Sequence, residues 1–209
     1  MARNLNKTPV PPAGVEVWLS NNPIGYNVRL PRILESGEWT ACFNLHSRAH
    51  MESRYPHGVE WYKQQDGSKP LYTQKYWPDL PGCTVFPRRE IQAAFPLKDG
   101  RPTRYLTCTA PWLIAKAIFD GATHIGLWGF ALSDNKPNEA FKYERPCFFH
   151  WVQQARDRGI EVIYQQEVAD LPFEPGDPDA FTGTLYGFDT RPESDWDPIA
   201  QDFVRLDHE

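Results

Sequence analysis

Residues 107–164 most constrain the fold, because helical and strand patterns alternate there in a fixed order. Apolar residues recur at helical spacing over 107–121, and a glycine ends that predicted helix before a short strand at 124–128. A second helix is predicted to open at Pro146, to stop at a glycine and to lead into a strand over 160–164. Helices that alternate with strands in this way predict an α/β fold with a mainly parallel sheet and right-handed crossovers.

The N-terminal half adds two shorter strands and a divided helix. β-type residues at 15–19 and 41–46 predict the strands. Ser47 is suited to cap a helix that runs to about residue 65, and a proline and a glycine inside this segment divide it into two pieces.

Residues 66–104 are predicted to form an irregular, proline-rich insertion. Six of the 20 prolines of the chain fall between residues 70 and 102. Proline fixes its own backbone and removes a hydrogen-bond donor, so this density excludes long helices and central strands. A short strand at 69–73 and a short helix at 88–95 still fit the pattern.

The charge of the chain is unevenly distributed. The 27 acids and 22 bases give a formal net charge of −5, but residues 167–209 alone hold 12 acids and 2 bases. The body before this segment is therefore mildly basic, which favours a small anionic ligand, although a solvated acidic tail explains the same numbers. Because the chain as a whole is acidic, nucleic acid is disfavoured as a direct partner. The oligomeric state stays open.

Two further observations limit the class of protein. No run approaches the ~18 apolar residues of a membrane-spanning helix, and residues 1–12 lack a secretory signal pattern, so no membrane partner is expected. Four scattered cysteines without a close pair predict reduced thiols rather than disulfides or a zinc site: Cys42, Cys83, Cys108 and Cys147. No metal ligands are assigned.

The candidate ligand site follows from the direction of the strands. In a parallel sheet the carboxyl ends of the strands share one edge, and ligands bind beyond that edge. The predicted edge collects polar residues that follow strands or open helices: Ser20, Asn21, Asn22, His46, Arg48, Thr107, Thr109, Gly129 and Arg145. Taken singly, each of these residues also fits a capping or loop role, and their convergence is what favours a binding site.

The residue types at this edge suggest a phosphate-bearing ligand. Helix-initial amides and hydroxyls bind anions, and the guanidinium groups of Arg48 and Arg145 are suited to phosphate. His46 is the candidate general base, because histidine titrates near neutral pH. Three acids could hold Mg²⁺ together with phosphates or could lie on a solvated loop: Asp134, Glu139 and Glu144.

Two common nucleotide motifs are absent from the sequence. No G-x-G-x-x-G follows the first predicted strand, and no G-x-x-x-x-G-K-[ST] occurs anywhere. Hydride transfer from a dinucleotide and P-loop kinase chemistry are therefore disfavoured.

Residues 105–121, with their threonine-rich turn and alanine-rich helix, and the strand that ends in Gly129-Phe-Ala131 resemble a module of one Rossmann-like superfamily. That superfamily includes 6-hydroxymethylpterin pyrophosphokinase-like proteins, flagellin glycosyltransferases and small bacterial sialyltransferases. Further segments over about 15–190 are similar to a family of phage and prophage proteins. The resemblance implies nucleotide or nucleotide-sugar binding and group transfer in the cytoplasm of a bacterial host.

The sequence departs from that superfamily at two places. Ala131 stands where the superfamily has an aspartate, and Ser20-Asn-Asn22 replaces a glycine-rich phosphate turn. Both departures favour binding over catalysis.

With this resemblance, we predict one Rossmann-like α/β domain over 15–190, in which helices flank a mostly parallel sheet of about five or six strands. A flexible segment, 1–14, and an acidic tail, 191–209, flank the domain.

Three functions follow as hypotheses. The first is a nucleotide-utilising group transferase, most like a glycosyltransferase, in which His46 acts as the base. The second is a phage protein that binds or sequesters a nucleotide without chemistry. The third, a weaker alternative, is a virion or host-interaction protein.

Overall fold

The computed structural model describes residues 11, 13–20, 34, 36–129, 132, 140–183 and 185–188. The chain divides into two compact units, residues 1–86 and residues 87–209, and each is described by itself. The predicted domain limits at residues 15 and 190 stay predictions.

The first unit is built around a parallel sheet of four short strands. Its described elements are β1 (Trp18–Ser20), β2 (Ala41–Asn44), α1 (Arg48–Arg54), α2 (Pro56–Lys63), β3 (Leu71–Thr73) and β4 (Cys83–Val85). The strands pair in the order β1-β2-β3-β4, and every pair is parallel. This order follows the chain without a reversal among the described strands.

The core of the first unit lies against β2, whose four residues are all buried. A strand that has neighbours on both sides and is covered on both faces needs apolar residues at every position. The first three residues of β2 are apolar, and its last residue, Asn44, is polar. The core cluster joins this sheet to the two helices and consists of Leu19, Trp39, Cys42, Met51, Val59, Tyr62, Leu71, Trp77 and Leu80.

The connection from β3 to β4 crosses between parallel strands without a helix. Residues 74–82 are held instead by the buried side chains of Trp77 and Leu80, and the Trp77 N–H donates to Cys83 Sγ at 3.2 Å. Gly82 closes this loop with φ of 69°, and a Cβ placed on it would lie 2.5 Å from Lys69 O. Only glycine fits this close approach of two backbone segments.

The second unit contains a β-α-β motif and further helices. Its described elements are α3 (Arg88–Ala94), α4 (Thr109–Phe119), β5 (His124–Leu127), α5 (Ala140–Arg156), β6 (Glu161–Tyr164) and α6 (Gln166–Ala169). β5 and β6 pair in parallel, with α5 between them in the chain. None of the described helices is long and apolar enough to cross a membrane.

The core of the second unit is dominated by α4 and α5. The α4 helix is buried on almost every side, which explains why its sequence is apolar beyond one face. Two buried tryptophans satisfy their ring N–H groups on backbone oxygens: Trp112 Nε1 donates to Tyr186 O at 3.2 Å, and Trp151 Nε1 donates to Tyr105 O at 2.7 Å.

The prediction of a mixed α/β fold with parallel strands is confirmed, and the arrangement differs in detail. The described strands form one four-stranded and one two-stranded sheet instead of a single sheet of five or six. The region predicted as an irregular insertion supplies β3, β4 and α3, because prolines occupy the turns and leave three-residue strands intact. Ser47 caps α1 as predicted, and all four cysteines are free thiols.

The predicted start of the second helix at Pro146 is wrong. The helix α5 begins at Ala140, and Pro146 lies inside it. Proline removes one intrahelical hydrogen bond, but the following turns bury Phe148, Phe149 and Trp151. Burial of these rings outweighs the lost bond, so the helix continues through the proline.

Candidate functional site

The carboxyl edge of the four-stranded sheet is the candidate site of the first unit. Because the four strands run in the same direction, their last residues lie along one edge: Ser20, Asn44, Thr73 and Val85. His46 comes two residues after β2 and precedes α1. Of the residues predicted for the site, Ser20, His46 and Arg48 therefore belong to this edge.

A pair of stacked histidines follows β2. The rings of His46 and His50 have their centroids 4.4 Å apart with planes inclined by 16°, and the Tyr55 ring lies 5.9 Å from His50 and 6.5 Å from His46. Ser47 fixes the turn between the histidines, since its Oγ accepts a hydrogen bond from the His50 N–H at 3.1 Å. All three rings are half-buried.

Both histidines of the pair are uncharged at neutral pH. Burial lowers the pKa of His46 from 6.5 to about 3, and the neighbouring His50 lowers it further in the same direction. Burial and Arg54 lower the pKa of His50. A neutral imidazole offers one N–H donor and one acceptor to a ligand, but a pKa of about 3 makes His46 a weak base.

Asn44, at the end of β2, was missed by the sequence analysis. Its side chain is 2% exposed, and its Oδ1 accepts a hydrogen bond from the His46 N–H at 3.1 Å. Within the part of the chain that the structure describes, its Nδ2 has no hydrogen-bond partner. The sequence signal that could have indicated it is a polar residue at the end of a buried, otherwise apolar strand.

Arg48 lies in a network of carboxylates. Its two terminal nitrogens donate to the two carboxylate oxygens of Asp79, Nη2 to Oδ2 at 2.7 Å, and its Nε donates to Glu52 at 2.7 Å. Its guanidinium also lies 5.3 Å from the centre of the Trp77 ring. These acids raise the pKa of Arg48 further. A phosphate on Arg48 stays a prediction, and it would compete with Asp79.

Ser20 closes β1 and is half-buried, opposite Phe43 of β2. Asn21 and Asn22, which were predicted to hold the ligand beside Ser20, lie outside the described residues. Of this segment, the structure describes Ser20 only, and its predicted contact with a ligand stays a prediction.

The remaining predicted residues belong to the second unit. Thr107 is 1% exposed and donates from Oγ1 to Tyr143 O at 3.3 Å, and Thr109 is buried as the first residue of α4. Gly129 has φ of 81° and donates its N–H to Gln165 Oε1 at 2.9 Å. Arg145 lies within α5. Both threonine side chains are covered by the protein rather than open to solvent.

Two thiols near α4 are not activated nucleophiles. Burial raises the pKa of Cys108 well above its usual value, and the charges of Glu144 and Cys147 raise it further. Burial likewise raises the pKa of Cys147 to about 12, against the opposing effect of a hydrogen bond with Thr107. Both groups are therefore protonated at neutral pH, and the thiolate needed for nucleophilic attack is absent.

The described part of the chain contains no group of three or more histidines, cysteines, aspartates or glutamates placed to hold a metal ion. Asp134 and Glu139, two of the three acids considered for Mg²⁺, lie outside the described part, and Glu144 is in α5.

The edge of the first unit can thus stack and hydrogen-bond a small ligand. The groups at this edge are neutral imidazoles and a hydroxyl, whereas the amide of Asn44 is covered by the protein. Such groups fix the orientation of a ligand without supplying strong acid or base chemistry.

No protein-family model, curated protein or solved structure matches this chain.

Proposed function

We propose that this chain binds a nucleotide or nucleotide sugar at the carboxyl edge of its four-stranded sheet. One observation carries the proposal: two uncharged, half-buried imidazole rings, His46 and His50, stack at the end of a parallel strand. Parallel sheets bind ligands beyond this edge. Flat aromatic side chains stack on nucleobases, and neutral imidazoles hydrogen-bond to them.

The charge of the chain agrees with an anionic ligand. The acidic residues are concentrated after residue 166, so the segment before them is mildly basic. Many parallel sheets bind their ligand in the crevice where the strand order reverses. The described strands of the first unit show no such reversal, so the strand order does not locate the site. Its location rests on the residues at the edge.

Group transfer from an activated nucleotide, in the manner of a glycosyltransferase, is the second candidate function. His46 favours it, because the ring is unprotonated at neutral pH and can accept a proton. The low pKa makes it a weak base, so we place binding before transfer. In this candidate Mg²⁺ accompanies the phosphates. The resemblance to phage and prophage proteins supports a place of action in the cytoplasm of a bacterial host.

A ligand screen tests the proposal. Thermal unfolding is measured with UDP, GDP, ADP and UDP-glucose, each with and without Mg²⁺, and phosphorus NMR then follows each nucleotide for chemical change. A ligand that binds the native state raises its melting temperature. We expect a rise without new phosphorus signals. New signals would establish transfer or hydrolysis as the function instead.

Two variants locate the binding site. His46→Phe keeps a flat ring but removes its hydrogen bonds, and we expect the nucleotide-dependent rise to shrink by more than half. His57→Phe is the matched control, because His57 is exposed on α2. The proposal fails when no nucleotide stabilises the wild-type chain, or when both variants respond as the wild type does.

A further inference from the structure

The carboxyl edge of the four-stranded sheet needs a cation if it is to bind phosphate. Its stacked imidazoles, His46 and His50, are uncharged at neutral pH, because burial lowers the pKa of both rings. Arg48 is engaged by Asp79 through two hydrogen bonds and by Glu52 through a third. A phosphate would have to displace a carboxylate from this arginine, so another cation is better placed to bind it.

Lys75, in the loop after β3, is such a cation. Its side chain is exposed, and its ammonium forms no hydrogen bond or ion pair with any residue that the structure describes. Two other lysines of the first unit are engaged: Lys63 Nζ lies 3.0 Å from Glu60 Oε1, and Lys69 Nζ donates to Gly37 O at 2.5 Å. A solvated ammonium on a long, flexible side chain can turn to a phosphate without breaking an existing contact.

The register of the sheet places Lys75 beside His46. Asn44 of β2 pairs with Thr73 of β3. His46 comes two residues after Asn44, and Lys75 comes two residues after Thr73. Neighbouring strands lie ~4.8 Å apart, which is less than the length of a nucleotide. A base that stacks on the histidine pair can therefore place its phosphates over the loop after β3.

Two hydrogen bonds hold this arrangement beyond the ends of the strands. Gln74 Nε2 donates to Leu45 O at 2.6 Å and thereby ties the loop after β3 to the loop after β2. Thr73 Oγ1 donates to Lys75 O at 2.6 Å, which fixes the backbone of the lysine. The side chain of Lys75 therefore starts from a fixed point next to the loop that carries the histidine pair.

We propose that Lys75 binds the phosphates of the ligand, so that the site distinguishes a nucleotide from its nucleoside. This inference rests on the proposed function and identifies the cation of that site. The base contacts the rings of His46 and His50, and the Lys75 ammonium donates charge-assisted hydrogen bonds to phosphate oxygens. Arg48 keeps its bonds to Asp79.

Calorimetric titration at low salt tests the inference with three pairs of probes: UDP and uridine, GDP and guanosine, and ADP and adenosine. Lys75→Gln removes the charge of an exposed side chain, so the melting temperature should not change. We expect this variant to bind the diphosphates about fivefold more weakly than the wild type does and to bind the nucleosides equally well. Lys75→Arg keeps the charge and should bind the diphosphates within about twofold of the wild type.

Lys69→Gln is the matched control, because Lys69 precedes β3 at the opposite edge of the sheet and its loss changes the net charge equally. It should bind the diphosphates as the wild type does. Wild-type affinity of Lys75→Gln for the diphosphates, or an equal weakening in Lys69→Gln, overturns the inference while the proposed function stands. An equal loss of nucleoside affinity in Lys75→Gln also overturns it, because the phosphate contact is then not responsible. Failure of all three diphosphates to bind the wild type overturns both proposals.

Discussion

The imidazole rings of His46 and His50 stack with their centroids 4.4 Å apart and their planes inclined by 16°. Ser47 holds the turn between them by accepting the His50 N–H. Burial lowers the pKa of both rings, so that both are uncharged at neutral pH. Protonating both would place two positive charges in contact, and the stack is therefore most stable when both rings are neutral.

Acid should destabilise the fold through His46. Its pKa is 6.5 in an unfolded chain and about 3 in the fold, so above pH 6.5 neither state binds this proton. Between pH 6.5 and about 3 the unfolded chain binds it and the folded chain does not, and stability falls as the pH falls. Down to pH 5 this loss of stability is on the order of 2 kcal/mol. Urea unfolding at pH 7.5, 6 and 5 measures it.

The variant His46→Gln should flatten this pH dependence, while His57→Gln, on the exposed face of α2, should keep it. If the wild type and His46→Gln lose the same stability in acid, the pKa of His46 is the same in the folded and the unfolded chain.

Removing the cap of α1 should loosen the histidine pair. Ser47→Ala deletes the Oγ that accepts the His50 N–H at 3.1 Å, and loss of such a cap costs about 1 kcal/mol. Urea unfolding at pH 7.5 measures the change. Ser36→Ala is the control, because the Ser36 hydroxyl bonds to Glu38 in an exposed turn. Equal stability of the two variants would show that the cap contributes nothing.

The loop before β4 should not tolerate a side chain at Gly82. An added Cβ lies 2.5 Å from Lys69 O, and φ is 69°. The left-handed backbone alone costs about 1–2 kcal/mol for alanine, and the clash adds a comparable amount. We expect Gly82→Ala to lose on the order of 3 kcal/mol in urea unfolding.

Gly100→Ala provides the matched control for the clash. Gly100 has φ of 84° and nothing within 4 Å of an added Cβ, so this variant should show the backbone cost of about 1–2 kcal/mol alone. Equal losses in the two variants would remove the clash from the explanation.

Freeing Arg48 tests its predicted contact with phosphate. Asp79 bonds both terminal nitrogens of Arg48, and Asp79→Asn removes the competing charge. Where Arg48 contacts a phosphate, we expect calorimetry at low salt to show UDP binding severalfold more tightly to Asp79→Asn. The control is Asp99→Asn, which removes the partner of the exposed Arg101 in the second unit. Unchanged affinity for UDP in Asp79→Asn would leave Arg48 with a structural role alone.

The periodic part of the sequence predicted its elements well. The helix α4 and the strands β5 and β6 follow from apolar spacing and flanking glycines, which are local signals. The predicted helix start at Pro146 was wrong, because the burial of the rings after this proline depends on tertiary packing, which no local pattern shows. β4 was missed because a three-residue strand among prolines leaves little pattern.

The candidate site was predictable in part. His46 and Ser47 were found because they follow a strand and open a helix. The engagement of Arg48 by Asp79, 31 residues further along the chain, was not visible in any local pattern. Asn44 was missed for a related reason: the unpaired state of its Nδ2 exists only once the neighbouring strand and loop are in place.

An NMR titration that follows the histidine ring signals as UDP is added tests directly whether a nucleotide binds at the carboxyl edge of the four-stranded sheet. We expect the signals of His46 and His50 to shift together along one saturation curve. The ring of His124, which is exposed in the second unit beside Glu161 at 3.5 Å, should stay unchanged. Saturable binding that leaves both stacked rings unmoved, or that shifts His124 alone, would contradict a nucleotide site at the carboxyl edge of the four-stranded sheet.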